Sequence, residues 1–199
     1  RGLGDVYKRQ EHGYDWVITM DCDEQHEPEM IPKFLEELRT NRWDIISGSR
    51  YTADNLNEDV APGDRRAINA TITALVNDLF SWKLTDAFCG FKAHRVSAMQ
   101  KLNLDEAGYA FPLQLWPRAY DAGLRIKEIS VKRIYNDPNR TFGGNLDDAR
   151  RRLRHYLDVF KREMKRIHHS RADSVDDVSL DKPAKPEKKR AHACCGCSR

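Results

Sequence analysis

The sequence predicts an α/β fold in which helices flank a sheet. Three observations predict it: an apolar run at residues 17–20, the alternation of strand-like runs with segments whose apolar residues recur at helical spacing, and a length of 199 residues with 40% hydrophobic content. Short apolar runs bounded by polar turns are typical of strands buried in α/β sheets. A chain of this size buries one core, so we expect one domain.

The first predicted strand ends in two carboxylates. Residues 17–20 read Val-Ile-Thr-Met, and Asp21 and Asp23 follow directly. Side chains at i and i+2 of an extended chain point the same way, so both carboxylates can reach one hard divalent cation. Ligands of open α/β sheets bind beyond the carboxyl ends of strands. We therefore expect Mg²⁺ or Mn²⁺ at this pair, with a pair that only caps the next helix as the alternative.

A helix and a second strand follow. Pro28 lies between two glutamates, and proline with acids in the first turn favours a helix start. The apolar residues after it recur at helical spacing; they are Met30, Ile31, Phe34, Leu35 and Leu38. Residues 44–51 predict the next strand, which ends in polar groups and an arginine, Arg50. Strand, turn and helix together form half of a βαβ unit.

Two arginines, Arg65 and Arg66, begin the next predicted helix. Positive charges at a helix N-terminus oppose the helix dipole, so local helix energetics do not explain them. Guanidinium groups match phosphate oxygens bidentately, which makes a phosphate clamp one interpretation of this pair and of Arg50. A solvated charge pair is the other interpretation.

The next segment is predicted to be a loop over residues 85–91, followed by a short helix that begins at residues 92–95 and ends near residue 102. Gly90 permits a tight turn or the close approach of a ligand, and Asp86 is either a turn-forming or a functional residue. A helix is expected over residues 111–120 and a strand over residues 126–131. The Asn-Asp-Pro and Gly-Gly signals of residues 136–144 mark an irregular loop in which Arg140 can close over a diphosphate.

The last predicted helix begins near Leu146 and carries one narrow apolar stripe among many basic residues. Such a helix covers the edge of a core, lies on an anionic membrane surface or packs on a partner. Residues 169–199 are polar and are expected to be disordered. Residues 1–12 show no clear pattern and are expected to be irregular or extraneous, which leaves residues 13–168 for the folded domain.

Charge and cysteine content limit the function classes. A formal net charge of +3 gives no global electrostatic argument for nucleic acid, so no nucleic-acid partner is expected. No apolar run approaches the roughly 20 residues of a membrane-spanning helix. Cys22 and Cys89 are isolated within the domain, which indicates a reducing compartment. We expect a cytoplasmic protein, peripheral on the cytoplasmic face of a membrane if it binds one.

Four motifs together resemble family 2 glycosyltransferases of the GT-A fold, with the closest likeness to the dolichol- or polyprenol-phosphate mannosyltransferase branch. In chain order they are Met-Asp-Cys-Asp-Glu-Gln-His-Glu-Pro at residues 20–28, Gly-Ser-Arg-Tyr at residues 48–51, Arg65-Arg66, and Asp-Ala-Phe-Cys-Gly-Phe-Lys at residues 86–92. The resemblance runs from about Gly13 to about Gly144. It implies a Rossmann-like mixed sheet flanked by helices, from which the first nucleotide-binding strands are missing.

The resemblance also implies roles for individual residues. Asp21, Asp23 and Gln25 would surround the divalent ion that neutralises a nucleotide-diphosphate sugar. Arg50 and Arg65 or Arg66 would hold the phosphate of a polyprenyl-phosphate acceptor. Asp86 would be the general base if the acceptor were a hydroxyl group, and would organise the loop or the basic clamp if the acceptor were a phosphate. Arg140 lies in a segment like the family's acidic-arginine-glycine segment, but the usual Ser-Lys ending is replaced by Phe142-Gly143-Gly144.

The expected function is the metal-dependent, inverting transfer of a hexose, mannose or glucose, to a polyprenyl phosphate. Three alternatives stay open at this point. One is a glycosyltransferase with a hydroxyl acceptor, and another is a fragment that is inactive and only binds a membrane or a partner. The third is a haloacid-dehalogenase-type phosphatase, which also places two aspartates after an apolar strand but usually has Thr or Val where this chain has Gln25.

Overall fold

The computed structural model describes residues 13–21, 24–53, 62–134 and 141–178, with side chains to residue 169. Its sheet contains four strands, β1 (Trp16–Thr19), β2 (Ile45–Ser49), β3 (Lys92–Arg95) and β4 (Ile126–Ser130), in the order β1-β3-β2-β4. β3 is antiparallel to both β1 and β2, whereas β2 and β4 are parallel. The predicted α/β fold with a mixed sheet is confirmed.

Five α-helices alternate with these strands in the described chain. They are α1 (Ile31–Arg39), α2 (Gly63–Phe80), α3 (Val96–Met99), α4 (Phe111–Asp121) and α5 (Ala149–Val178). Short 3-10 turns at Pro28–Met30, Gln100–Leu102 and Gly144–Leu146 adjoin α1, α3 and α5. α5 thus begins three residues after the position near Leu146 that the periodicity predicts, and it continues past residue 168. The domain boundaries themselves stay predictions.

The prediction for residues 92–95 was wrong, because these residues form strand β3 before the short helix begins at Val96. Its sequence, Lys-Ala-His-Arg, has no apolar run, so the usual strand signal is absent. Pairing supplies the missing stabilisation: Ala93 lies opposite Ile18 on one side and Ile46 on the other. β3 therefore forms hydrogen bonds with a strand on each side.

Two apolar clusters cover the two faces of the sheet. Ile45 belongs to the larger cluster, which α2, α3, α4 and α5 contribute to, and Ile46 belongs to the smaller one, which contains Phe34 of α1. Neighbouring residues of a strand point to opposite faces, so this division follows from the strand period. One helix therefore covers one face, and the other four helices contribute to the cluster on the opposite face.

Ion pairs attach the basic helix α5 to the rest of the domain. Glu163 is fully buried and accepts hydrogen bonds from Arg118 of α4 and from Arg166 of its own helix, both at 3.0 Å. Arg152 is also buried and pairs with Asp64 at the start of α2. Part of the positive charge on α5 is therefore neutralised inside the molecule.

Candidate active site at one edge of the sheet

The sheet topology brings the predicted motifs to one edge. Because β1 and β2 run in the same direction, Asp21 and Arg50 follow their carboxyl ends at the same side of the sheet. β3 runs the opposite way, so the loop that precedes it, with Asp86 and Gly90, lies at that side too. Ligand sites of open α/β sheets occupy this position.

Asp86 and Arg50 form the central ion pair of this edge. Arg50 donates from Nε to Oδ2 at 2.7 Å and from Nη2 to Oδ1 at 3.0 Å, and Asn69 Nδ2 donates to Oδ1 at 2.7 Å. Asp86 is fully buried, yet the Arg50 charge and these hydrogen bonds outweigh desolvation and lower its pKa to about 2. The pair fixes the plane of the guanidinium, whose side chain is 14% exposed.

Glu128 of β4 fixes the loop that carries Asp86 through hydrogen bonds. It accepts hydrogen bonds from the backbone N–H groups of Thr85 at 2.7 Å and Asp86 at 3.0 Å, and from Thr85 Oγ1 at 2.9 Å. Burial raises the pKa of Glu128 above its ordinary value. The adjacent hydroxyl groups of Ser49 and Thr85 are 2.5 Å apart. Strands β2 and β4 are thus bonded to the loop that carries Asp86.

Asp21 lies against Gly90. A methyl group at position 90 would overlap the carboxylate of Asp21, and Thr19 Oγ1 donates to the Gly90 carbonyl at 3.0 Å. The Asp21 side chain is 60% exposed, and its Oδ2 lies 3.6 Å from His26 Nε2. This arrangement fits a cation site, because the Asp21 carboxylate is accessible to solvent and occupies space that any side chain at position 90 would fill.

The other predicted metal ligands are placed less completely. Gln25 is nearly buried, and its amide oxygen is a ligand type that Mg²⁺ and Mn²⁺ accept. Asp23 lies outside the described residues. Among the residues that are described, no three His, Cys, Asp or Glu side chains are grouped as a metal site.

Burial and a ring contact distinguish the two predicted clamp arginines of α2. Arg65 lies four residues before Asn69, so the two share a helix face, and Asn69 contacts Asp86. Arg66, three residues before Asn69, also neighbours it on the helix surface, but its side chain is exposed whereas that of Arg65 is half-buried. The guanidinium carbon of Arg65 lies 4.8 Å from the centre of the Phe142 ring. Of the two arginines, Arg65 is therefore the one whose side chain packs within the domain.

Three further residues near this edge were missed by the sequence analysis. Glu128 and Asn69 are ordinary polar residues in a strand and a helix, and their role appears only from their hydrogen bonds to the Asp86 loop. Arg133 follows β4 and donates to the Arg50 carbonyl at 3.3 Å. Its position just after a parallel strand was the signal that could have identified it. Arg140 lies outside the described residues.

Comparison with known proteins agrees with the order of these motifs. The sequence profile of the family described as glycosyl transferase family 2 matches residues 11–102. Undecaprenyl-phosphate mannosyltransferase of Micrococcus luteus is 31% identical over a match that covers 74% of this chain and 64% of that protein. For polyprenol monophosphomannose synthase of Mycolicibacterium smegmatis the identity is 27%, and the match covers 65% of this chain and 51% of that protein.

An uncharacterized protein of Methanocaldococcus jannaschii is 26% identical, over 65% of this chain and 54% of that protein. The matches thus span about half to two thirds of the length of these relatives. The family profile covers the residues from Asp21 to Asp86, and the mixed sheet flanked by helices is the GT-A-type fold expected from the resemblance. Over residues 11–102 the chain is therefore similar to glycosyl transferase family 2.

Proposed function

We propose that this chain acts as an inverting glycosyltransferase that moves a hexose from a nucleotide-diphosphate sugar to a polyprenyl phosphate. The observation that carries the proposal is the sheet edge at which the Asp21 carboxylate and the Arg50–Asp86 pair meet. An acceptor phosphate needs cationic contacts, and a departing diphosphate needs its charge neutralised. The names of the two relatives with assigned activities, both polyprenyl-phosphate mannose enzymes, favour mannose as the sugar.

The donor diphosphate would be held through a divalent cation. Asp21, Asp23 and Gln25 are the proposed ligands, and Mg²⁺ or Mn²⁺ is the proposed ion. When bound, the ion supplies charge neutralisation of the leaving diphosphate. Asp21 is exposed toward the edge of the sheet and is positioned by Gly90. Arg140 is proposed to assist from its loop.

The state of Asp86 favours a phosphate over a hydroxyl acceptor. A hydroxyl group must lose its proton as it attacks, and the best base for that has a pKa near the working pH. Asp86 has a pKa of about 2 and both of its oxygens accept hydrogen bonds from Arg50. A phosphate oxygen is already anionic and needs no base. The proposed role of Asp86 is therefore to position Arg50, with a hydroxyl acceptor as the second candidate.

Arg50 and Arg65 are the proposed contacts of the acceptor phosphate. Asp86 orients the first of them, and Asn69 links the same carboxylate to the helix face that carries the second. Arg66 is exposed, whereas Arg65 is half-buried against Phe142, so Arg66 becomes the weaker candidate. Attack by the phosphate from the side opposite the leaving diphosphate would invert the anomeric carbon.

A membrane surface is the proposed location of the lipid acceptor. Four exposed basic residues, Arg150, Arg154, Lys161 and Lys165, lie along one side of α5, and none of them forms an ion pair with a described residue. We call them the α5 basic strip. Over 15 residues a helix extends about 22 Å, so the strip can contact several anionic head groups at once. No described helix is long and apolar enough to span a bilayer.

The test is transfer of labelled mannose or glucose from GDP- or UDP-sugars to undecaprenyl phosphate by the full-length protein, with Mn²⁺ or Mg²⁺. Asp23→Ala should abolish metal-dependent transfer, whereas exposed Asp78→Ala on α2 should not change it. Retained turnover in Asp23→Ala would contradict the metal assignment. Titration calorimetry with the same donors and Mn²⁺ separates an active chain from an inactive one, because an inactive chain would release no binding heat.

The second candidate has its own test. Asp86→Asn removes the base but keeps a side chain of the same shape beside Arg50. If the acceptor is a phosphate, the variant should lose acceptor affinity, while its maximal rate at saturating acceptor stays unchanged because no base is needed. A hydroxyl acceptor would instead require the maximal rate to fall at saturating acceptor, by about 10²–10⁴-fold.

A further inference from the structure

Phe142 occupies an unusual place beside the proposed acceptor site. The guanidinium carbons of Arg65 and Arg152 lie 4.8 Å and 4.2 Å from the centre of its ring. Tyr109 meets the same ring edge-on, with the ring centres 5.0 Å apart. Two cations and an aromatic edge thus converge on one side chain that only partly contacts solvent.

The backbone around Phe142 is fixed as firmly as its ring. Asp147 Oδ1 accepts hydrogen bonds from the N–H groups of Phe142 at 2.7 Å and Gly143 at 3.0 Å. Gly143 and Gly144 both have positive φ angles, +90° and +59°, which glycine adopts without strain. The turn therefore directs the ring back onto the starts of α2 and α5.

The two arginines at the ring differ in accessibility. Arg152 is buried, pairs with Asp64 and donates to the Leu146 carbonyl at 2.7 Å, so its charge is neutralised within the protein. Arg65 is half-buried and lies one helical turn before Asn69, which donates to Asp86 of the Arg50–Asp86 pair. Of the two guanidinium groups, Arg65 is the one that an incoming ligand can reach.

We infer that Phe142 is a positioning residue that holds the Arg65 guanidinium in place for the acceptor phosphate. A cation over an aromatic face is attracted by the ring quadrupole, and the flat contact limits the rotation of a long side chain. An ordered arginine loses less conformational freedom when it binds, which strengthens binding without a new contact. The inference rests on the proposed function, because it takes a phosphate-bearing acceptor as the ligand of Arg65.

The binding test compares variants of the full chain with farnesyl phosphate, a short polyprenyl phosphate. Phe142→Leu keeps apolar volume but removes the aromatic face, so its Kd should rise about five- to tenfold. Phe142→Trp keeps an aromatic face and should stay within about twofold of the parent. The matched control is Trp16→Leu, which removes the ring under Arg95 (4.5 Å) at the opposite edge of the sheet and should leave this Kd unchanged.

A second measurement reports on Arg65 itself. The ¹⁵Nε order parameter of Arg65, assigned with Arg65→Lys, should fall into the flexible range in Phe142→Leu and stay high in Phe142→Trp. If Phe142→Leu leaves both the Arg65 order parameter and the farnesyl phosphate affinity unchanged, the inference about Phe142 is overturned. The proposed function would not be affected by that result. Absence of farnesyl phosphate binding by the parent chain would instead remove the proposed acceptor, and with it the role of Phe142 toward that ligand.

Discussion

Gly90 shows how one residue without a side chain can define a binding group. Its φ lies outside the left-handed region, so backbone freedom does not explain the glycine; the neighbouring Asp21 carboxylate does, because it fills the space of a side chain. Position 90 therefore controls where the Asp21 oxygens lie. A glycine in the sequence indicates that something approaches position 90 closely, but it does not identify a side chain of the same protein as the partner.

Gly90→Ala should separate metal affinity from stability. The added methyl group displaces the exposed Asp21 carboxylate rather than backbone, so the free energy of unfolding should change by less than about 1 kcal/mol. Mn²⁺ affinity, measured by titration calorimetry with the nucleotide-sugar present, should fall at least about tenfold. Gly63→Ala is the control, because open space surrounds that position. Equal Mn²⁺ affinity in both variants would contradict the assignment of Asp21 to the metal.

His94 should make stability depend on pH in a range where Asp86 does not. Burial lowers the pKa of His94 from 6.5 to about 3. Below pH 6.5 His94 binds a proton in the unfolded chain but not in the folded protein. The contribution of His94 to the free energy of unfolding is therefore full above pH 6.5 and is lost as the pH falls toward 3. The depressed pKa of Asp86, about 2 against 3.8, acts in the same direction but only between about pH 4 and 2.

The expected loss from His94 is about 2 kcal/mol between pH 6.5 and 5. Urea unfolding at several pH values measures it, and His94→Gln should flatten the dependence in this range. His168→Gln, at an exposed position of α5, should leave the slope as it is. A parent protein with equal stability at pH 7 and pH 5 would contradict the buried, neutral state of His94.

At the scale of elements, periodicity identified the helices and the apolar strands but failed for β3. Residues 92–95 contain three large polar side chains and one alanine, and the strand is stable because it has a hydrogen-bonding neighbour on each side. Such pairing partners lie 47 and about 75 residues away in the sequence, so no local pattern reports them. The same limit applies to Arg50 and Asp86, which are 36 positions apart.

The helix phase, by contrast, was available from the sequence. The apolar face of α2 includes Ile68 and Ile72, and Arg65 precedes them by three and seven residues, which places it beside that face. Arg66 lies three residues before Asn69, which is also buried, so it flanks the same face. The choice between the two arginines therefore needs the burial of Arg65 and its contact with Phe142, which no local pattern reports.

The contact between α4 and α5 should depend on Glu163 more than on any one of its partners. Glu163→Ala leaves Arg118 without its carboxylate in a largely buried position, and we expect a loss of about 3 kcal/mol in the free energy of unfolding. Arg166→Ala removes a cation that is 42% exposed and should cost less than about 1 kcal/mol. Urea unfolding of both variants measures the difference. Equal losses would show that the buried carboxylate has no special role.

At the scale of the whole molecule, the α5 basic strip should control binding to anionic membranes. Lys161→Gln with Lys165→Gln should weaken binding roughly 30-fold, because each lysine near an anionic surface contributes about 1 kcal/mol. Sedimentation with phosphatidylcholine vesicles containing phosphatidylglycerol measures the partition coefficient. The control removes two exposed lysines elsewhere, Lys33→Gln with Lys83→Gln, at the same change in net charge. Equal weakening by both pairs would assign the effect to net charge alone.

The fold class and the order of the motifs could be predicted because both depend on patterns of residues that are close together in the sequence. An apolar run before Asp21, a helix after Pro28 and an arginine after the second strand need no long-range information. The arrangement of the edge could not be predicted, since it requires that β3 insert between β1 and β2. Only then does the loop with Asp86 and Gly90 arrive beside both Arg50 and Asp21.

The strand order also has a consequence for synthesis on the ribosome. Among the described strands, β1 and β2 share no hydrogen bonds with each other, because the strand between them is made more than 40 residues after β2 ends. Neither can therefore form its hydrogen bonds with β3 until residues 92–95 have left the exit tunnel, and β2 waits still longer for β4. During that interval the early half is open to aggregation, and chaperone capture would be strongest there.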